Sequence, residues 1–180
     1  MTRALYIVGA PGVGKTSLMR ELKASYRAGD AKRVTPGSQL WVTPLYDDDA
    51  LVAVELGRQR ASFGGTDALG MAVMPHALHW IRNAPSLPPL ILGEGARLGT
   101  AGFLTELAKR ADLTVLHLVA SADALAARRA ARGSTQSRAW MLGAETRARN
   151  AVARLSGAVR VVTLDSTDLT PAELLHEEGS

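Results

Sequence analysis

Residues Gly9-Ala10-Pro11-Gly12-Val13-Gly14-Lys15-Thr16 constrain this chain more than any other feature. They match G-x-x-x-x-G-K-[ST] in full. They lie between the apolar run Leu5-Tyr6-Ile7-Val8, which reads as a buried strand, and a segment from Lys15 with leucines at helical spacing. A glycine-rich turn from strand to helix lets backbone N–H groups converge on phosphate oxygens, and the helix N-terminus adds a positive partial charge. The chemistry this predicts is the binding of a nucleoside triphosphate. Lys15 would reach the β- and γ-phosphates and Thr16 would ligate Mg²⁺. Gly9, Pro11, Gly12, Val13, Gly14 and Ser17 would complete the cradle.

Further strands are predicted over 90–92, 113–119 and 159–164, and helices over 15–27, 67–83, 100–110, 123–131 and 138–155. Two apolar runs, 40–46 and 51–56, flank Asp47-Asp48-Asp49 and predict an antiparallel hairpin. Residues 31–38 read as a loop. Thr66 or Asp67 is expected to cap the helix over 67–83, with Pro75 kinking it. Ser121 is expected to cap 123–131, Gly143 to be a weak point in 138–155, and Thr170-Pro171 to open a terminal helix. Strands alternating with helices predict an α/β fold: a mainly parallel sheet covered by helices on both faces, in a single domain over 1–180.

Composition narrows the class. The chain has 180 residues, 47% hydrophobic and 21% charged, which suits one globular domain with a real core. It has no cysteine, which excludes disulfides, thiolate catalysis and cysteine zinc sites. No apolar run reaches the ~18 residues of a membrane span. The N-terminal apolar stretch is too short for a signal-peptide core, so a cytoplasmic setting is expected. The net charge is +4, and its distribution matters more than its size. Eight arginines between 128 and 160 face one acid, Glu145. Such a segment meets phosphate, on a nucleotide or on nucleic acid, or it reflects a preference for Arg in a chain with four lysines.

The phosphate loop is that of P-loop nucleotide hydrolases and kinases, and other segments discriminate among them. The chain carries no N-K-x-D guanine-reading motif, and no run of four apolar residues followed by Asp-Glu. Leu90-Ile91-Leu92-Gly93-Glu94-Gly95-Ala96-Arg97 instead resembles the strand-to-loop segment of nucleoside monophosphate kinases, apolar residues followed by Asp-Gly-x-Pro-Arg. Glu94 stands for the Asp and Arg97 for the Arg, and Ala96 replaces the Pro. An acid at the end of a strand beside the phosphate loop can hold Mg²⁺ or orient the attacking hydroxyl. Arg128-Arg129-x-x-Arg132-Gly133 resembles the lid of the same kinases, placed here at about 128–140. The resemblance implies that Arg128 and Arg132 neutralise the transferring phosphoryl group, with Arg129 beside the bound nucleotide.

The acceptor region then falls at about 40–83. Its loop offers Arg58 and Arg60 to phosphate, Phe63 to stack on a base, and Asp67 to take a hydroxyl proton, unless Asp67 merely caps a helix. Phe63-Gly64-Gly65-Thr66-Asp67 and Arg128-Arg129-x-x-Arg132-Gly133-Ser134-x-Gln136 resemble small phage-type kinases, among them those that phosphorylate 5-hydroxymethyluracil within DNA. The resemblance implies ATP and Mg²⁺ as cofactors and a nucleotide or DNA as acceptor partner. It leaves open a free nucleoside or monophosphate kinase. A non-kinase P-loop NTPase acting on nucleic acid, or a module that binds without turnover, also remains. His76 and His79 read as packing residues rather than a metal pair, and His117 as core; Trp140 reads as core, with packing beneath the lid or stacking on a base as the alternatives.

Overall fold

The computed structural model describes residues 1–58, 69–131, 138–155, 157–168 and 170. Among these, eight strands form one mixed sheet. They are β1 (Arg3–Gly9), β2 (Arg27–Ala28), β3 (Lys32–Arg33), β4 (Trp41–Asp47), β5 (Ala50–Leu56), β6 (Leu90–Glu94), β7 (Asp112–Val119) and β8 (Arg160–Asp165). The helices are α1 (Lys15–Leu22), α2 (Val73–Asn83), α3 (Ala101–Ala108), α4 (Ala122–Ala131) and α5 (Arg138–Leu155). Strands β5, β6, β1, β7 and β8 lie side by side, all parallel. The predicted hairpin adds β4 antiparallel to β5, and β2 and β3 both pair with β4.

The period-2 alternation of the central strand sorts the core into two layers. Ala4, Tyr6 and Val8 pack with residues of α2, α3 and α5. Ile7 packs with residues of α1 and α4 on the other side. The sheet is therefore covered on both faces, as the alternation of elements predicts. No helix of the described residues is long and apolar enough to cross a membrane.

Three local expectations change. The Leu18, Leu22, Tyr26 spacing predicts a helix to Arg27, but α1 ends at Leu22. Short turns follow, with Ala24 N donating to Glu21 O and Tyr26 N to Lys23 O. Tyr26 still packs on the α1 side of the core, now from a turn. Arg27–Ala28 joins β4 instead, because a ladder partner is available there. Lys32–Arg33, expected in a loop, does the same further along β4, opposite Val42 and Trp41. Finally, α2 begins at Val73 rather than at 67, with Ala72 at its N-cap and no side-chain cap bond, while Thr66 and Asp67 lie outside the described residues. Pro75 consequently falls in the first turn, where its missing N–H costs no helical bond and no kink is needed.

The cap expected at Ser121 forms. Ser121 Oγ accepts from Ala124 N at 3.2 Å at the start of α4. Thr100 caps α3 by accepting from Phe103 N. Gly143, expected to be a weak point, sits within α5 without interrupting it. The terminal helix expected from Pro171 onward lies outside the described residues.

Candidate active site

The site is built at the carboxyl ends of the parallel strands. Gly9 ends β1 with φ 148°, and a Cβ there would stand 2.4 Å from the Leu118 carbonyl of β7, so only glycine fits. Gly14 is the N-cap of α1 in the left-handed region, φ 104°, which turns the chain into the helix. Between them the loop wraps ahead of the N-terminus of α1, as a phosphate cradle requires. Lys15 folds over this loop, its Nζ donating to the carbonyls of Gly9 (3.0 Å) and Ala10 (2.9 Å). The ammonium is thereby held at the mouth of the cradle.

Glu94 ends β6, next to β1, and is 3% exposed. Thr16 Oγ1 donates to its Oε2 at 3.1 Å. Two side-chain oxygens thus converge at the floor of the loop. That donor set fits Mg²⁺, a hard cation that takes few protein oxygens and completes its shell with water and phosphate oxygens. The end of β6 is braced from β1: Tyr6 Oη contacts the carbonyls of Glu94 (3.0 Å) and Gly95 (3.1 Å). Gly93 leaves room for the Tyr6 ring, whose carbons would lie 2.5 Å from a Cβ there.

A second brace comes from β8. Ser166, 3% exposed, donates from Oγ to the Val13 carbonyl of the phosphate loop at 2.7 Å. Arg128 of α4 donates to Ser166 Oγ at 3.2 Å, to the Ser166 carbonyl, and to the Thr167 carbonyl at 3.1 Å. The expectation of a lid arginine closing on a phosphoryl group therefore meets a different geometry at Arg128. Its guanidinium is committed to the backbone that follows β8. The next residue behaves otherwise: the Arg129 side chain lies against Gly12, its Cγ 3.7 Å from a Cβ built on that glycine. Asp165 forms an Asx-type turn with Thr167, whose N–H and hydroxyl donate to Oδ1 and hold the carboxyl below its usual range.

A cleft of 810 Å³ opens between the phosphate loop, the Gly95–Ala101 segment and α5. This is the size class of small-molecule sites. Lys15, Arg97, Arg147 and Arg154 line it, with no carboxylate among the described residues of its walls. Trp140, expected in the core, is 47% exposed and lines this cleft instead. Trp140, Arg147 and Arg154 recur every seven residues, so α5 turns one aromatic and two cations toward the same wall. Arg147 lies along the helix over Gly143, where a Cβ would meet its Nη1 at 3.3 Å. His117 of β7 is half-buried rather than fully in the core. Burial, then the Arg149 cation, hold its imidazole below the ordinary value, against an opposing pull from Glu145.

Of the predicted acceptor residues, Arg58 stacks over the Trp41 ring at 4.7 Å and does not line the cleft. Arg60, Phe63 and Asp67 lie outside the described residues, as does Arg132. His79 is exposed and contacts Asn83, and no metal-holding group of three His, Asp or Glu forms among the described residues. Sequence reasoning placed Arg147 and Arg154 in the basic stretch without singling them out, although that stretch carries a helical repeat as well as a charge, and it overlooked Tyr6, Ser166 and Asn150. Tyr6 and Ser166 carried no such signal.

Residues 1–169 match the family model described as P-loop Nucleotide Kinase3. No curated protein matches. Among solved structures, the chain is similar to a gluconokinase from Sinorhizobium meliloti 1021, at 17% identity and a TM-score of 0.50, covering 98% of this chain and 89% of that one. It also aligns with a sugar kinase from Janibacter sp. HTCC2649, at 14% identity and a TM-score of 0.46, covering 99% and 92%. The gluconokinase likeness is one of fold, a kinase-type sheet with helices.

Proposed function

The chain belongs to the P-loop Nucleotide Kinase3 family and is a phosphotransferase, and from that premise we propose that it moves the γ-phosphoryl group of ATP to a hydroxyl on a nucleotide acceptor. The acceptor we favour is the hydroxymethyl group of 5-hydroxymethyluracil in DNA. The observation that carries the reading is the cleft beside Lys15, large enough for a nucleoside and walled by Arg97, Arg147, Arg154 and Trp140. A base stacks on an indole and phosphate pairs with guanidinium, so this wall suits a nucleotide.

Residues Gly9 to Ser17 cradle the triphosphate, and Lys15 compensates charge on its β- and γ-oxygens. Thr16 and Glu94 would hold Mg²⁺, which would supply positive charge against the phosphate oxygens. Arg129 lies against the nucleotide-side turn at Gly12. Arg128 acts as a brace between α4, the segment after β8 and the phosphate loop. Arg132 is left as the residue to cover the transferring group. In the reaction the acceptor oxygen forms the new bond to the γ-phosphorus as the bond to the β–γ bridging oxygen breaks, and ADP departs. The hydroxyl proton passes to a carboxylate, a role we give to Asp67.

The test is incubation with γ-labelled ATP and a panel of nucleosides, monophosphates, gluconate, plain DNA and hydroxymethylated DNA. Label should enter hydroxymethylated DNA. Label in a free nucleoside or monophosphate alone would replace the polymer by a small acceptor. DNA-stimulated phosphate release with no labelled product would overturn the kinase reading in favour of an NTPase.

A further inference from the structure

The antiparallel part of the sheet carries a basic surface that the transfer reaction does not use. Arg33 of β3 and Arg58, just beyond β5, both place their guanidiniums over the Trp41 ring, at 5.0 and 4.7 Å from its centroid. Arg33 is further fixed by donating to the carbonyl of Ser38, a buried residue whose Oγ accepts from Leu40 N. One indole thus holds two cations within ~10 Å of each other. Both arginines are exposed, as is neighbouring Lys32. Neither arginine is paired with a carboxylate among the described residues.

Position gives this surface its meaning. Trp41 begins β4 and its carbonyl accepts from Gly57 N, immediately after β5. Because β4 runs antiparallel to its neighbour, Trp41 lies at the same sheet edge as Glu94 and Gly9. The acids Asp47, Asp48 and Asp49 close the hairpin at the opposite end. The hairpin is therefore polarised, positive at the edge that carries the phosphate loop. From β4 through β5 and β6 to β1 there are three strand spacings, about 14 Å. That is about four stacked nucleotides of a single strand. A mononucleotide reacting beside Lys15 does not reach Trp41, but a strand does.

We propose that Arg33 and Arg58, held over Trp41, form a second anion subsite that takes the phosphodiesters flanking the reacting nucleotide, so that the acceptor binds as a single DNA strand running from the cleft across the ends of β1, β6, β5 and β4. The inference rests on the nucleotide-acceptor reading above and adds the path of the polymer.

Two measurements test it. The first is KM for hydroxymethylated acceptors of increasing length, from mononucleotide through dinucleotide to octanucleotide. KM should fall once the strand spans the gap. Arg33→Gln should raise the octanucleotide KM about tenfold while the mononucleotide KM stays within about twofold. The second is salt-dependent binding of single-stranded DNA, read by fluorescence anisotropy without turnover. The double variant Arg33→Gln/Arg58→Gln should lower the slope of log K against log salt by about two contacts. Arg33→Lys/Arg58→Lys keeps the charge and should restore most of that slope, and unchanged ATP affinity reports an intact fold. A KM independent of length, equal losses on short and long acceptors, or an unchanged salt slope would each overturn the subsite. A reduced slope with no transfer to any nucleotide would leave the subsite standing and remove the acceptor reading instead.

Discussion

Replacing Glu94 by Gln keeps an oxygen that can accept from Thr16 Oγ1 but weakens the ligand set for Mg²⁺. Turnover should fall at least ~10²-fold, the scale for losing one charge-stabilising group, while ATP measured without Mg²⁺ should bind as before. Near-normal kcat would remove Glu94 from the metal site. Tyr6→Phe probes the layer behind it. The phenol hydroxyl is shared between the Glu94 and Gly95 carbonyls, and its removal should cost ~1 kcal/mol of stability by chemical unfolding. Because the strand end that carries Glu94 is loosened, kcat should drop more than KM for ATP rises. A variant that loses stability with unaltered kinetics would make Tyr6 a core residue only.

At the scale of the element, α5 carries a glycine whose cost the proposed acceptor wall accounts for. Gly143 lies inside an 18-residue helix, where Ala would be better by about 1 kcal/mol. Its lack of a side chain gives Arg147 room to lie along the helix beside the cleft. Gly143→Ala should therefore raise the melting temperature by about 2–4 °C and raise KM for the acceptor, since the Arg147 guanidinium must shift by a few tenths of an ångström. Calorimetry and steady-state kinetics on one preparation check both signs. A stabilised enzyme with unaltered acceptor KM would show that Arg147 does not need that space. The same helix marks where sequence was legible. The parallel strands were, because apolar runs such as Leu90-Ile91-Leu92 are buried on both faces. The phosphate loop was, because its chemistry is local. The end of α1 was not, because Tyr26 satisfies the helical period equally well from a turn. Nor was the cleft wall, because Trp140 looks like any core aromatic until α5 is laid beside the loop. The contacts of Arg128 were not legible either, because the carbonyls it meets are nearly forty positions away.

Across the whole molecule, protonation offers a reading of how the layers fit. The His117 imidazole is held below its ordinary 6.5, so the unfolded chain binds a proton there before the folded one does. Stability is fully present above that ordinary value and declines as pH falls below it toward the folded value. The lowered carboxyls of Glu106 and Asp165 begin to act only near and below their ordinary 4.5 and 3.8, so the interval above separates them from the histidine. Thermal melts of wild type against His117→Gln across that interval should converge at acid pH. Parallel curves would place the pH response elsewhere. A different consequence follows from the bond between Ser166 and the Val13 carbonyl, which joins positions 153 residues apart. The phosphate loop leaves the ribosome well before the segments that frame it: β1 waits for Leu90 on one side and Asp112 on the other, and the loop waits longer still. At 5–20 residues per second the delay is roughly 8–30 s. During that time the nascent chain carries a glycine-rich turn with no finished frame, so nucleotide capture should begin only once synthesis has passed β8 and should be lost in any product that stops before it.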